Sequence, residues 1–171
     1  MRIIGLAGWS GAGKTTLAVK LLNALLARGL SVSTMKHAHH SFDIDRPGKD
    51  SFEHRMAGAS EVLISSANRF ALMHELRGEA EPAFAALLGK LSPVDLVIVE
   101  GFKREAHPKI EVFRQANGKP PLHPGDVTIA AIAADVAFPG SKLPQAALDD
   151  ITRIADLALE LAAPRDSLRQ R

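Results

Sequence analysis

The sequence predicts a three-layer α/β sandwich, a mainly parallel sheet between helices with additional β-strands. Three observations carry that expectation. A short apolar run at residues 3–7 leads into a glycine-rich stretch that opens a helical pattern. Two later runs, VDLVIVEG and VTIAAIAAD, are almost continuously apolar, as strands buried on both faces are. Strand-like and helix-like segments alternate along the chain, the order that a parallel sheet with crossover helices requires.

Each element has its own local reason. Residues 15–28 carry Leu17, Leu21, Leu22, Leu25 and Leu26 at helical spacing and stop before Gly29. Residues 30–36 read as a second strand, a histidine-rich loop follows, and residues 50–58 form a short helix. EVLISSANRFALMHE has two apolar runs flanking SSANR and reads as a hairpin, or as two adjacent strands with a tight link. EPAFAALLGKL is helical, and KIEVFRQANGKPPLHPGD is a strand, a turn and a proline-rich loop. Residues 144–163 form the last helix, with Leu148, Ile151, Ile154, Ala155, Leu157, Leu159 and Leu161 supplying a broad apolar face. A single domain over residues 1–163 is expected, with residues 164–171 a frayed tail.

Composition narrows the functional classes. At 171 residues and 46% hydrophobic, the chain can bury a core without covalent staples. Its 21 basic and 19 acidic residues are intermixed, with no basic block to suggest nucleic-acid binding. Cysteine is absent, which excludes disulfides, thiolate zinc sites and a cysteine nucleophile. No segment approaches the ~20 apolar residues of a membrane span, and the N-terminal apolar run is too short for a signal sequence. A cytoplasmic chain with no membrane association is expected.

GWSGAGKT, residues 8–15, fits GxxxxGK[ST] between a strand and a helix, the context this phosphate loop requires. Gly8, Gly11 and Gly13 can take backbone angles closed to other residues, so successive N–H groups turn inward around a phosphate. The helix N-terminus adds positive potential. Gly8, Trp9, Ser10, Gly11, Ala12, Gly13, Lys14, Thr15 and Thr16 are the expected phosphate contacts, with the Lys14 ammonium on the β- and γ-phosphates and the Thr15 hydroxyl on Mg2+. The fold expected is that of a P-loop NTPase. Glu100 ends a buried strand at the sheet edge where ligands bind, so it either holds Mg2+ or faces solvent.

KHAHHSFDIDRPGKDS, residues 36–51, gathers three histidines and three aspartates. If its preceding strand lies parallel beside the first, this loop starts at the phosphate-binding edge. Three readings stand: an anion-binding loop in which His37, His39 and His40 donate to phosphate, a zinc or nickel site, and a solvated loop. Asp43, Asp45 and Asp50 are the carboxylates available to join Thr15 and Glu100 around Mg2+, and Asp45 is the expected ligand.

GWSGAGKTTL, MKHAHHSFDIDRPGKDSFEHRMAGA and VDLVIVEGFKREAHPKIEV together resemble the bacterial molybdopterin-guanine dinucleotide biosynthesis adaptor proteins, the MobB family. The resemblance runs from the first strand to the last buried strand. It implies a GTP-binding P-loop protein of the broad class of dethiobiotin synthetase and the nickel-insertion GTPases. It also implies a homodimer that assists the molybdopterin guanylyltransferase, the enzyme attaching GMP to molybdopterin to give its guanine dinucleotide.

An NKxD guanine-reading motif is missing, since ANGK at residues 116–119 reads as a turn. Asp135 either accepts the guanine N1 and N2 protons or caps a turn. No glutamine is placed to position water: Gln115 lies in a strand-turn region, Gln145 begins the last helix and Gln170 is in the tail. Hydrolysis is therefore expected to be slow, ~10⁻⁴ to 10⁻³ per second. A small-molecule kinase, closing Arg46, Arg55 or Arg104 over the phosphates, and a metallochaperone-type GTPase are the competing readings. A homodimer is also expected from KIEVF and RFALM, strand-like segments beyond the needs of a nucleotide core whose exposed edges call for pairing.

Overall fold

The computed structural model of the chain describes residues 1–38 and 42–168. It divides into two compact units, one of residues 1–37 together with 84–171 and one of residues 38–83.

In the first unit the elements run β1 (Arg2–Ala7), α1 (Lys14–Ala27), β2 (Val32–Lys36), α3 (Phe84–Leu88), β5 (Leu96–Glu100), β6 (Lys109–Phe113), β7 (Ile129–Ala134), β8 (Gln145–Ala147), α4 (Ile151–Leu161) and β9 (Ala163–Pro164). The sheet order is β2-β5-β1-β6-β7-β8. Every pair along it is parallel. β1 lies at the centre because its two edges are shared. β5 runs along one edge from Arg2↔Leu96 to Leu6↔Glu100, and β6 takes the C-terminal half of the other, from Gly5↔Lys109 to Ala7↔Glu111. The N-terminal half of that second edge is filled by β9, antiparallel, with Arg2↔Pro164 and Ile3↔Ala163.

Alternation along the strands builds the layers. Leu96 and Ile98 of β5 join Ile4, Leu6, Ile110 and Val112 in a core beneath α1 and α4. Val97 and Val99 turn to the other face with Ile3, against Phe84 and Leu88 of α3. The three-layer α/β sandwich with a mainly parallel sheet is therefore the observed architecture.

Two sequence expectations differ from the structure, those for KIEVF and for the start of the last helix. The KIEVF strand is β6, an interior strand between β1 and β7, so it offers no free edge. The last helix starts at Ile151, because Gln145–Ala147 joins the sheet as β8 and the Asp150 carboxylate caps the helix by accepting from Arg153 N–H. The tail docks through Leu168: after β9, Arg165 N–H donates to Met1 O and a 3-10 turn spans Arg165–Leu168.

One face of β6 is polar and buried: Lys109 and Glu111 are each 1% exposed, as is His107 just before the strand. The Lys109 ammonium is satisfied by Thr128 Oγ1 at 2.6 Å and by the Glu105 and His107 carbonyls. His107 stacks on Phe84, and neither ring nitrogen has a hydrogen-bond partner among the described residues. Gly5 has no side chain because one would stand 2.5 Å from His107 Nε2. Burial, reinforced by Lys109, pushes the imidazole down to about 4. The unfolded chain takes up that proton near pH ~6.5, so stability is full above this value and is lost as pH falls through about 4. The melting temperature should fall across that window and should fall less in His107→Leu. Equal pH slopes for the two proteins would show that His107 does not carry the effect.

The second unit holds α2 (Asp50–Met56) and the hairpin of β3 (Glu61–Ser65) and β4 (Phe70–His74), registered from Glu61↔His74 to Ser65↔Phe70. Val62 and Met73 are its buried side chains among the described residues. Arg55 ties the unit together: its guanidinium meets Asp43 Oδ2 at 2.7 Å, Glu75 Oε1 at 3.0 Å and Asp45 Oδ2 at 3.4 Å. Leu63, Ile64, Phe70 and Leu72 of the hairpin remain exposed.

Candidate functional site

The site grows from the C-terminal end of β1. Beyond Ala7 the chain turns through Gly8, Gly11 and Gly13, with φ of 149°, 81° and 93°, and enters α1 at Lys14. The latter two values are left-handed angles that glycine adopts without strain. Close neighbours add a second reason: a methyl group on Gly8 would lie 2.5 Å from Val112 O, and one on Gly11 would lie 3.0 Å from Asn117 Oδ1. The loop is braced from outside as well. Asn117 Nδ2 donates to Ser10 O at 2.9 Å, and Trp9 Nε1 donates to Pro120 O at 2.8 Å.

Lys14 folds over the loop, its ammonium donating to Gly8 O at 2.9 Å and Trp9 O at 3.0 Å. Burial lowers its pKa, with Lys103 and Lys36 adding to that and Glu100 opposing it. The Thr15 hydroxyl donates to Glu100, 3.0 Å from Oε1 and 3.2 Å from Oε2. Lys36 stands 3.6 Å from the same carboxylate. The adjacency of β1 and β5 in the sheet brings Thr15 and Glu100, 85 positions apart, onto one edge.

Thr15 and Glu100 thus present converging oxygens, the donor type a hard divalent cation takes. Among the described residues no group of three or more His, Asp or Glu side chains could hold a metal by itself. The pair suits Mg2+ carried on a nucleotide, where phosphate and water complete the coordination. Asp45 lies in the other unit, accepting from Ser51 Oγ at 2.9 Å and facing Arg55. Asp43 is also held there by Arg55, whose hydrogen bond keeps its carboxyl below the usual value. Asp50 opens α2.

His37 leaves β2 beside this edge. Its N–H donates to Glu100 O, its ring packs on Phe102, and Gly101 has no side chain because one would stand 2.8 Å from His37 Cβ. His39 and His40 lie outside the described residues. Asp135, just past β7, accepts from Gln115 N–H at 2.9 Å, as a turn cap does. Asp135, Val136, Ala137 and Gln145 also line an open pocket of about 280 Å³. ANGK is the turn expected, a 3-10 turn over Gln115–Asn117 with Gly118 left-handed. The side chain of Asn117, which reaches the phosphate loop, had no signal in the local sequence.

The family model for MobB, described as molybdopterin guanine dinucleotide synthesis protein B, matches residues 3–135. The chain belongs to the MobB family. It is similar to the molybdopterin-guanine dinucleotide biosynthesis adapter protein of Escherichia coli K12, 42% identical over 163 residues that cover 92% of this chain and 91% of that one. The protein of the same name from Haemophilus influenzae is 38% identical over 91% of this chain and 85% of its own length. Among solved structures, a molybdopterin-guanine biosynthesis protein B matches at a TM-score of 0.72 and 29% identity, covering 93% of this chain and 97% of that one. Bacillus subtilis MobB matches at 0.74 and 22% identity over 95% of this chain and 98% of that one, a likeness of fold. The MobB match and this architecture place the chain among P-loop NTPase folds.

Proposed function

We propose that this chain is a GTP-binding adapter of molybdopterin-guanine dinucleotide biosynthesis, which assists the guanylyltransferase that attaches GMP to molybdopterin. The observation that carries the reading is the Thr15–Glu100 contact beside Lys14, at the mouth of a glycine loop whose Gly11 and Gly13 have left-handed angles. When Mg2+ is bound it neutralises phosphate charge. Thr15 and Glu100 would hold it, while the Asp45 carboxylate is engaged by Ser51 and Arg55. Lys14 orients the terminal phosphates, and the N–H groups of residues 8–16 enclose them. Asp135, at its pocket, would accept the guanine N1 and N2 protons with the carboxylate oxygen that Gln115 leaves unused.

Slow hydrolysis fits an adapter. Gln145 is committed to Phe138, donating to its carbonyl and accepting from its N–H, both at 2.9 Å, and so does not position water. An anion-binding role toward the pterin phosphate or the partner enzyme is assigned to His37, His39 and His40. A homodimer is supported by the hairpin, whose Phe70 and Leu63 are 72% and 62% exposed. A two-stranded hairpin is marginal alone, and a second copy covers such surface. Light scattering should give twice the 18.3 kDa chain mass.

Isotope-labelled GTP tests the function. Alone, the chain should release GDP at only ~10⁻⁴ to 10⁻³ per second. With molybdopterin and the guanylyltransferase it should accelerate transfer of label from GTP to the pterin as GMP. Transfer of the γ-phosphate to a small molecule, or no acceleration, would refute the adapter reading.

A further inference from the structure

We infer that Arg114 is a phosphate-binding residue of the nucleotide site, supplied from the end of β6. The inference rests on the nucleotide-binding reading and extends it. The sheet order β5-β1-β6 sets the phosphate loop between two strand ends. Glu100 comes from β5 on one flank. On the other flank β6 and the chain just past it run alongside the loop and meet all three of its glycines: Val112 O at Gly8, Asn117 at Gly11, and Arg114 at Gly13. A methyl group on Gly13 would stand 3.3 Å from Arg114 Nε and 3.8 Å from Nη2, so the guanidinium lies over the residue that precedes α1.

That guanidinium is uncommitted. Arg28, Arg55 and Arg153 are paired with carboxylates, and Arg2 and Arg77 donate to backbone carbonyls. The Arg114 side chain is exposed and makes no hydrogen bond or ion pair among the described residues. A planar fork of donors left free over the N-terminal residues of a phosphate loop matches two phosphate oxygens. Because Arg114 and Glu100 come from opposite flanks, the arginine's contribution does not pass through the metal. Lys14 and Arg114 would then grip the polyphosphate from two directions.

Nucleotide titrations of wild type, Arg114→Ala, Arg114→Lys and Lys119→Ala test this, with GDP and GTP, each in Mg2+ and in chelator. Arg114→Ala should weaken both nucleotides about tenfold or more in both conditions, the loss of a charge-assisted contact. Arg114→Lys, which keeps the charge without the fork, should fall between Arg114→Ala and wild type. Lys119→Ala, an exposed cation five positions on, should match wild type. Guanosine, which lacks phosphate, should bind all four proteins equally. If wild type binds no nucleotide, the functional reading falls and the inference with it. If wild type binds and Arg114→Ala is within twofold of it, or guanosine weakens as much as GDP, the inference alone is overturned.

Discussion

Lys14→Ala is expected to lower affinity for GTP by about 100-fold or more while leaving the fold in place. Each charge-assisted hydrogen bond from this ammonium to phosphate is worth about 1.5–3 kcal/mol, and every 1.4 kcal/mol is tenfold. The half-buried side chain folds over the loop and donates to two loop carbonyls, so it is already positioned for phosphates held there. Trp9, one of the two acceptors, is exposed, and the α1 residues that anchor the core, Leu17, Leu21 and Leu25, are untouched. Circular dichroism should therefore be unchanged while nucleotide titration shows the loss. A well-folded variant with wild-type affinity would remove the phosphate-loop assignment.

Glu111→Ala is expected to have the largest effect on stability. Glu111 is 1% exposed on the polar face of β6 and accepts from Leu122 N–H, His123 N–H and His123 Nδ1. Truncation strands three donors, at about 1–3 kcal/mol each, a loss of at least about 3 kcal/mol. For a chain of this length that lowers the melting temperature by roughly 10 °C. The same carboxylate anchors the loop whose Pro120 carbonyl receives Trp9 of the phosphate loop, so nucleotide affinity should weaken too. Glu111→Gln keeps an acceptor and should lose about half as much. A change within about 2 °C for Glu111→Ala would show that the loop is anchored elsewhere.

What the sequence disclosed and what it concealed divide along a physical line. The phosphate loop, the buried strand ending at Glu100 and the β3–β4 hairpin are set by neighbouring residues: glycine spacing, an unbroken apolar run, paired strands about a turn. These were legible. The boundary of the last helix was not, because Gln145–Ala147 carries no strand pattern of its own and is drawn into the sheet by pairing with β7. The apolar residues of KIEVF did not tell an edge strand from an interior one, a distinction made by β1 and β7 on either side. At the site, Thr15 and Glu100 were legible because each ends a recognisable motif. Arg114, Asn117 and Glu111 were not, since their roles arise only when β6 lies beside β1 and the loop after it folds back.

The proposed function requires that this edge of the sheet bind GTP with Mg2+. It is tested most directly by calorimetric titration of the native chain with GTP and ATP, each with and without Mg2+, beside Glu100→Gln. One GTP should bind per chain, preferred over ATP through Asp135, and tightened by Mg2+ in the native chain but not in Glu100→Gln. No binding of either nucleotide at millimolar concentration, or GTP binding with the same Mg2+ dependence in both proteins, would contradict it.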